Sequence, residues 1–508
     1  MTRLMFRGTF LIFWTLATVS IALAQSPDSK SGKPGVTATE TDLGPVAQGV
    51  SRQTVRVSPD SRHVAFMQLS KRKARVLFDG RPSVAYDDVG LGSLGFSSDG
   101  NQFAYVAQRG DQWLAVHNQA EGKPHSGDVA GNTQFSPDGR HLLFVLRRND
   151  KCVVVLDDVE GPALDDIGKG SLRFSKDGRR LAYVAIRGDK QSVVHDGIEG
   201  KPYDRILSEG IQLSSDGRHF LYAAGQGRQC VLVVDGREQS PCDVLGFRMF
   251  RPDGDGVAYA AVRGKQGFAV VDGAEQGPYD MIGVEGATFS PDGKRFAYLA
   301  GRTKKWMVVI DGIPGPPYDT LGKGAVFSPN SKRFAYSAMR DGRSLMIVDG
   351  IEGRPCDAIR MLPTTFSPDS KHVAFVAIQD DKGQMVVDGV EGKPYDRFLV
   401  HSPVFAPDGG RMAYAAAVGN SWMVVADGVE GKRYDRVRPP VFSPDGRHLA
   451  YQAVRGTARL IVVDNVEFAY DDIPDDATLV FDGPRTLHTL AVRNGRYLRV
   501  EFKIAQGR

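Results

Sequence analysis

A unit of about 39 residues repeats along nearly the whole of this 508-residue chain, and that period leaves few architectures open. The clearest copy is 286–319, GATFSPDGKRFAYLAGRTKKWMVVIDGIPGPPYD. In it Phe289-Ser290-Pro291-Asp292-Gly293 ends a short apolar segment in a tight turn, because proline presets φ, aspartate bonds its own backbone and glycine tolerates φ > 0. Arg295 to Leu299 then alternates polar with apolar residues, Gly301 to Lys305 breaks the pattern, and Trp306 to Ile310 resumes as a β-branched run, which is a hairpin. Asp311-Gly312 is a second turn, and Pro317 to Leu321 reads as a short fourth strand. Such a sheet is too small to bury its own faces, so the copies must stack on one another.

The first-turn position falls at Asp60, Asp99, Asp138, Asp177, Asp216, Asp253, Asp292, Asn330, Asp369, Asp408, Asp445 and Asp482, in steps of 37 to 39 residues. In eleven copies the second turn, from Asp79 through Asn118 to Asp464, follows its partner by 19 residues. The middle hairpin is therefore constant in length, and all slippage lies in the connections between copies, as in repeats whose cores stay in register. Tyr-Asp marks the fourth strand at Tyr86, Tyr203, Tyr279, Tyr318, Tyr395, Tyr434 and Tyr470, with Leu164, Cys242 and Cys356 as variants and a degraded copy near His125.

The ends of the chain fit a ring. Residues 1–24 read as a secretory signal, with Arg3 and Arg7 at the basic start, Phe10 to Ala22 as the apolar stretch and Ala22-Leu23-Ala24 as the cleavage site. The apolar run is shorter than the ~20 residues that span a bilayer. A periplasmic or secreted protein with no transmembrane segment after signal removal is expected. Residues 25–40 read as a disordered leader, and 41–508 as the repeat domain. The last copy, Val480 to Lys503, stops after its third strand, while Thr41-Asp42-Leu43-Gly44 looks like a fourth strand without its first three. Joining the two, with the segment near Asp42 beside Tyr497 to Phe502, leaves no exposed sheet edge.

The FSPDG-(K/R)-x-(F/L)-A-Y unit resembles the repeat of TolB-type, WD40-like β-propellers of exported bacterial proteins, over about residues 41–503. The resemblance implies an all-β propeller and little about function, since propellers host many activities. TolB carries an α/β domain before its propeller, for which 25–40 offers no room, and the Gly-His and Trp-Asp pairs of cytosolic WD repeats are missing. Even spacing through Asp280 to Asp292 favours one closed ring of about twelve four-stranded blades, with two tandem six-bladed propellers as the alternative. A ring that wide is expected to have a solvent-filled central opening lined by first strands, with small residues such as Gly286-Ala287-Thr288 and Gly324-Ala325 on it.

The repeat also limits the chemistry. His63, His141, His219, His372 and His448 each stand three residues after a first-turn Asp, one per copy, where other copies carry arginine. Equivalent positions on separate blades do not converge on one metal, and solvated strand-start residues are the expectation. Asp204, Asp280, Asp319, Asp396 and Asp435 recur in the same way, which points to a structural bond closing the fourth strand instead of an acid–base pair. No Gly-x-Ser-x-Gly elbow, His-Glu-x-x-His pair or phosphate loop occurs, so no catalytic, metal or cofactor-binding residue is assigned and no cofactor is expected. Trp113, Trp306 and Trp422 share one register, which suits packing. Of four cysteines, Cys230 and Cys242 flank the Asp235-Gly236 turn and are placed for a cross-strand disulfide, with four reduced thiols as the alternative.

Net charge is +4, and removing Arg3 and Arg7 with the signal leaves +2, so overall charge names no partner. The turns between second and third strands are nevertheless rich in cations, among them Lys71, Arg72, Lys73, Arg147, Arg148, Lys304 and Lys305. All these turns lie on one face of a ring, and they are the candidate partner contacts for a protein, glycan or anionic polymer of the cell envelope. Nucleic acid is disfavoured by export and by the lack of aromatics among the cations. The expected function is a non-enzymatic binding platform or scaffold, with a hydrolase or lyase sited in the central channel as the alternative.

Overall fold

The computed structural model describes residues 35–46, 54–70, 73–90, 92–130, 133–207, 210–399 and 402–506. They form twelve small antiparallel sheets and no helix among them, a single twelve-bladed β-propeller. Blades 1 to 6 are residues 56–86, 88–126, 128–164, 166–203, 205–242 and 244–279. Blades 7 to 11 are 281–318, 320–356, 358–395, 397–434 and 436–470, and blade 12 is 472–504 completed by the chain's first strand.

The unit folds largely as its sequence dictates. In blade 7 the second strand Phe296–Arg302 pairs with the third, Lys305–Ile310, across the cation-bearing hairpin. The Ser-Pro-Asp-Gly turn is held from inside. Ser290 is fully buried, its hydroxyl donating to Asp292 at 2.7 Å while accepting the Arg295 amide at 2.9 Å. The second-turn Asp311, at φ 53°, accepts the Phe296 amide at 2.9 Å and so locks the hairpin to the sheet.

The blade boundary differs from the expected one. Tyr318 bridges to Trp306 in blade 7, but Thr320–Leu321 pairs with Met339 and Ala338 in blade 8. The Tyr-Asp segment is thus a crossover, with tyrosine on the outer strand of one blade and the residues after the aspartate on the innermost strand of the next. In eight blades that innermost strand comes in two short pieces separated by a loop, as with Thr320–Leu321 and Val326–Phe327.

The core lies between blades, not within them. Each junction has its own buried cluster: Ala104, Val106, Phe144 and Leu146 join blades 2 and 3, and Phe247, Ala258, Phe296 and Tyr298 join blades 6 and 7. That last cluster closes the mid-chain position where two tandem rings would have separated. Blades 11, 12 and 1 share a further cluster that includes Ile461, Leu487, Phe502, Val64 and Phe66, so the ring is closed. At six junctions the outer half is filled by an edge-on pair of tyrosines, for example Tyr318 against Tyr336 at 6.3 Å and 75°.

Closure occurs as anticipated, with Thr41 opposite Arg499 and Asp42 opposite Leu498. The closing strand is longer than expected, Val36–Pro45, so residues 36–40, expected in the leader, belong to the ring. Residues 1–34, including the signal segment, lie outside the described residues. Two glycine pairs permit close backbone approach. A Cβ on Gly44 would lie 2.5 Å from Gly80 Cα in blade 1, and one on Gly324 would lie 2.3 Å from Gly286 O, so the small inner-strand residues expected to line an opening also let neighbouring blades touch.

Candidate functional site

The recurring charged groups hold the ring together. Asp87, from the end of blade 1, accepts Lys73 Nζ of its own blade at 2.6 Å and the Gly110 amide of blade 2 at 2.9 Å. Asp204 and Asp396 repeat this with Lys190 and Gly227 and with Lys382 and Gly419. Asp319 does so with Lys305 and the Asp341 amide. The lysine beside Asp87 holds that carboxyl below the ordinary aspartate range, and Lys305 does the same for Asp319. The expected structural bond therefore exists, and it clasps two blades instead of closing one.

A second clasp runs through the tyrosines. Tyr86 donates to Glu121 Oε1 of the next blade at 2.9 Å, and Arg109 grips the same carboxylate while lying over the Tyr86 ring. Tyr434 and Arg455 converge on Glu467, whose carboxyl is pulled down to about 2, chiefly by the arginine. At ring closure Glu40 on the first strand takes the glutamate's place: it pairs with Arg493, which lies 4.5 Å over Tyr470. Burial pushes the Tyr86, Tyr318 and Tyr434 phenols up, so they stay protonated donors.

The histidines are strand-start residues, as expected, and each also has a fixed partner. His63, His141, His372 and His448 each set Nδ1 2.6 Å from the second-turn aspartate of their own blade, and Arg295 or Arg411 replaces them against Asp311 or Asp427. They are pinned to an aspartate, and the His141 and His372 side chains remain 38% and 41% exposed. Among the described residues no group of three or more His, Cys, Asp or Glu could hold a metal ion.

The described candidate partner contacts sit at or beside the hairpins between second and third strands, and most are engaged. Lys73 pairs with Asp87, Arg147 with Asp166 at 3.5 Å, Arg148 with Glu160 at 2.8 Å, and Lys305 with Asp319. Exposed Lys304 has no carboxylate within ion-pair distance among the described residues, and Lys71 and Arg72 lie outside those residues. The aspartates and glutamates of the clasps thus interleave with the cations, a mixture of signs that sequence spacing concealed because each carboxylate lies 12 to 19 residues along the chain from its cation.

A cavity breaks the repeat. About 370 Å³ in volume, it lies where blades 11, 12 and 1 meet and is lined by Val57, Arg438, Arg459, Ile473, Asp475 and Tyr497, among others. There blade 12 carries the inner loop Pro474-Asp475-Asp476-Ala477, where blades 4 and 8 carry the glycine-bearing loops Gly168 to Leu172 and Gly322 to Ala325. Arg438 donates to the Asp475 carbonyl at 2.8 Å and buried Gln452 to the Ala477 carbonyl at 3.1 Å, which holds the loop open over the apolar floor. The irregular stretch Asp471 to Leu479 was the sequence signal for it.

Cys230 and Cys242 are directly cross-strand, with sulfurs 3.3 Å apart as buried free thiols, in contact and not bonded. Burial raises the Cys242 thiol above its ordinary range. Cys152 and Cys356 are also free and buried.

No helix among the described residues is long and apolar enough to cross a membrane. No protein-family model and no curated protein matches the sequence. Among solved structures the chain is similar to a crystal structure of the eukaryotic initiation factor, at 12% identity and a TM-score of 0.33 over 66% of this chain and 97% of the other. It is also similar to TolB from Acinetobacter baumannii, at 14% and 0.23 over 58% and 79%. A GH74 enzyme of Niastella koreensis matches at 10% and 0.23 over 91% and 92%.

Proposed function

We propose that this propeller is an exported, non-enzymatic binding platform of the TolB-like repeat type, which presents its hairpin face to a protein, glycan or anionic polymer of the cell envelope. The observation that carries this reading is the use of the recurring aspartates, glutamates and histidines in blade-to-blade or turn-locking bonds. Groups spent on holding the scaffold are not free for acid–base work. What the hairpin face offers a partner is rigid, mixed charge around the cavity at ring closure. Interleaved signs favour register and selectivity over raw affinity. Export rests on the segment 1–24, whose basic start and short apolar stretch are those of a cleaved signal.

The test is retention of envelope components on the immobilised mature protein across a salt series, compared with a variant carrying Lys71→Glu, Arg72→Glu and Lys73→Glu. Salt-sensitive retention that the variant loses is the expected outcome. Retention identical in the two proteins removes the hairpin cations from the reading. Turnover of envelope polysaccharides by the wild-type protein, lost on Arg438→Ala, would replace the platform with an enzyme.

A further inference from the structure

The junction between blades 8 and 9 is built unlike its neighbours. Where Tyr318, Tyr395 and Tyr434 end blades 7, 9 and 10, blade 8 ends in Cys356, and where Tyr336, Tyr414 and Tyr451 face them, blade 9 has Phe375. The edge-on tyrosine pair is therefore missing, and the junction's core is split into two small clusters. Between them lies a cavity of about 650 Å³, lined by Met346, Val348, Cys356, Phe375, Ala377 and Val386. That volume is within the usual range of small-molecule sites, ~300–1,000 Å³.

Apart from the closing junction between blades 12 and 1, three others also lack the fourth-strand tyrosine, yet each is closed by other means. His125, Leu164 and Cys242 stand there, opposite Phe144, Tyr183 and Tyr259, all of them buried. In each case the second-strand arginine holds the next blade's glutamate: Arg148 on Glu160, Arg187 on Glu199, Arg263 on Glu275. At the 8–9 junction Phe375 is only partly buried and that arginine is replaced by Gln379, which accepts instead from Arg343 at 3.0 Å. Two junctions with the same lack of arginine show what is missing. Glu238 takes Lys201 at 2.7 Å and the Tyr203 hydroxyl at 2.8 Å, and Glu430 takes Lys393 at 3.2 Å and the Tyr395 hydroxyl at 3.1 Å. Glu391 has the corresponding cation, Arg354 at 3.2 Å, but has cysteine where the phenol would stand.

We propose that the blade 8–9 junction is a binding site for a small para-substituted phenol, whose ring enters the slot beside Cys356 and Phe375 and whose hydroxyl donates to Glu391. The rest of the fold supplies the argument: a phenol in this place, hydrogen-bonded to this glutamate, is the arrangement that the neighbouring junctions make from their own side chains. The slot has apolar walls for the ring, a carboxylate acceptor at hydroxyl depth, and more volume than one ring needs, which leaves room for a substituent. A hydroxyl is required, because a bare ring gains only the apolar contact.

The experiment is titration of the full mature protein with p-cresol and with toluene, read by ligand-observed NMR. p-Cresol is expected to bind saturably and at least ~10-fold more tightly than toluene, the discrimination a hydrogen bond to a charged acceptor provides. Cys356→Tyr restores the repeat's own ring and is expected to abolish p-cresol binding while raising Tm. Glu391→Gln leaves the walls intact and is expected to reduce the preference for p-cresol over toluene by most of that ~10-fold, so the proposal stays testable if Cys356→Tyr does not fold. Absence of saturable p-cresol binding, equal binding of toluene, or binding unchanged in Cys356→Tyr overturns it. Tighter binding of N-acetyltyrosinamide than of p-cresol overturns the small-molecule assignment in favour of a tyrosine on a partner chain.

Discussion

Ring closure depends on a strand that is joined to its blade by no neighbouring peptide bond, so it is the place where one side chain should control local opening. Glu40 is the perturbation of choice. Its carboxylate pairs with Arg493, 453 positions away, and both side chains are mostly buried, at 19% and 26% exposure. Arg493 also covers the Tyr470 ring and donates to the Ala469 carbonyl at 2.8 Å, so the contact ties the closing strand to both blade 12 and blade 11. Glu40→Gln keeps shape and removes charge. A hydrogen bond to a charged group contributes ~1.5–3 kcal/mol, and the residual exposure together with the neutral bond that glutamine still makes reduces the loss to about 1–2 kcal/mol. That amounts to roughly a 5–30-fold rise in the open population. Native-state hydrogen exchange reads it directly. Amides of Val36–Pro45 and their partners in Arg496–Ile504 should exchange faster by that factor, while those of Phe296–Arg302, across the ring, keep their protection. Glu352→Gln, which removes the same charge from a blade with continuous connection, should accelerate exchange only around its own short strand. Unchanged exchange over 36–45, or acceleration spread evenly over all blades, would show that closure is not held at this clasp.

Two further outcomes follow from the clasps and the close approaches. The carboxyls of Asp87, Asp319 and Glu467 are all held low in the folded ring, Glu467 at about 2 by Arg455, so their stabilising effect is complete above the unfolded carboxylate range near ~4 and is lost as pH falls through the folded values. Thermal unfolding at constant ionic strength should therefore show a Tm that declines below about pH 4, and a Tm flat from pH 6 down to pH 2 would contradict the assignment. Gly324→Ala places a Cβ 2.3 Å from Gly286 O at a φ of +123°, and overpacking of that kind costs ~1–3 kcal/mol, so the variant should melt earlier than Gly342→Ala, whose Cβ meets nothing within 4 Å.

The architecture was legible because the residues that build it repeat. Ser290, Asp292 and Gly293 make a turn chiefly from local bonds, to which the Asp292 amide adds one to Ser331 of the next blade, and a local bond recurs wherever its residues do. The pairing of Thr41 with Arg499 could be anticipated for a related reason, since an unmatched strand and an unmatched sheet edge at opposite ends of one chain have few other partners. What spacing could not give was the partner of each charge. Lys73 and Lys305 look like free cations when read along one copy, and their aspartates are 14 residues on, past a turn, with the second half of each clasp supplied by the next blade. The partner of each histidine was hidden in the same way, because His63 meets Asp79 only when the second and third strands are laid side by side. Cys356 and Phe375 were visible in the sequence as departures from Tyr-Asp and Ala-Tyr. Their joint meaning was not, because they belong to different copies and face each other only across a junction.

That separation between what repeats and what does not bears on where function can reside in a ring like this. A group present once per blade appears at intervals around the circumference, and no symmetry of the ring brings twelve equivalent aspartates to one point. Evolution of a site must therefore proceed by exception, through a lost ring that opens a slot or a lengthened loop that opens a cavity. Each exception costs stability in a junction core that elsewhere is filled to near-complete burial. The two cavities described above arise in that way, one from the paired loss of tyrosines at 356 and 375, the other at the loop 473–479 beside the closing strand. Repair is consequently informative. If Cys356→Tyr stabilises the ring and the protein retains its envelope contacts, the slot and the hairpin face are separate devices. If stabilisation comes with loss of those contacts, the unfilled junction is part of what the platform holds.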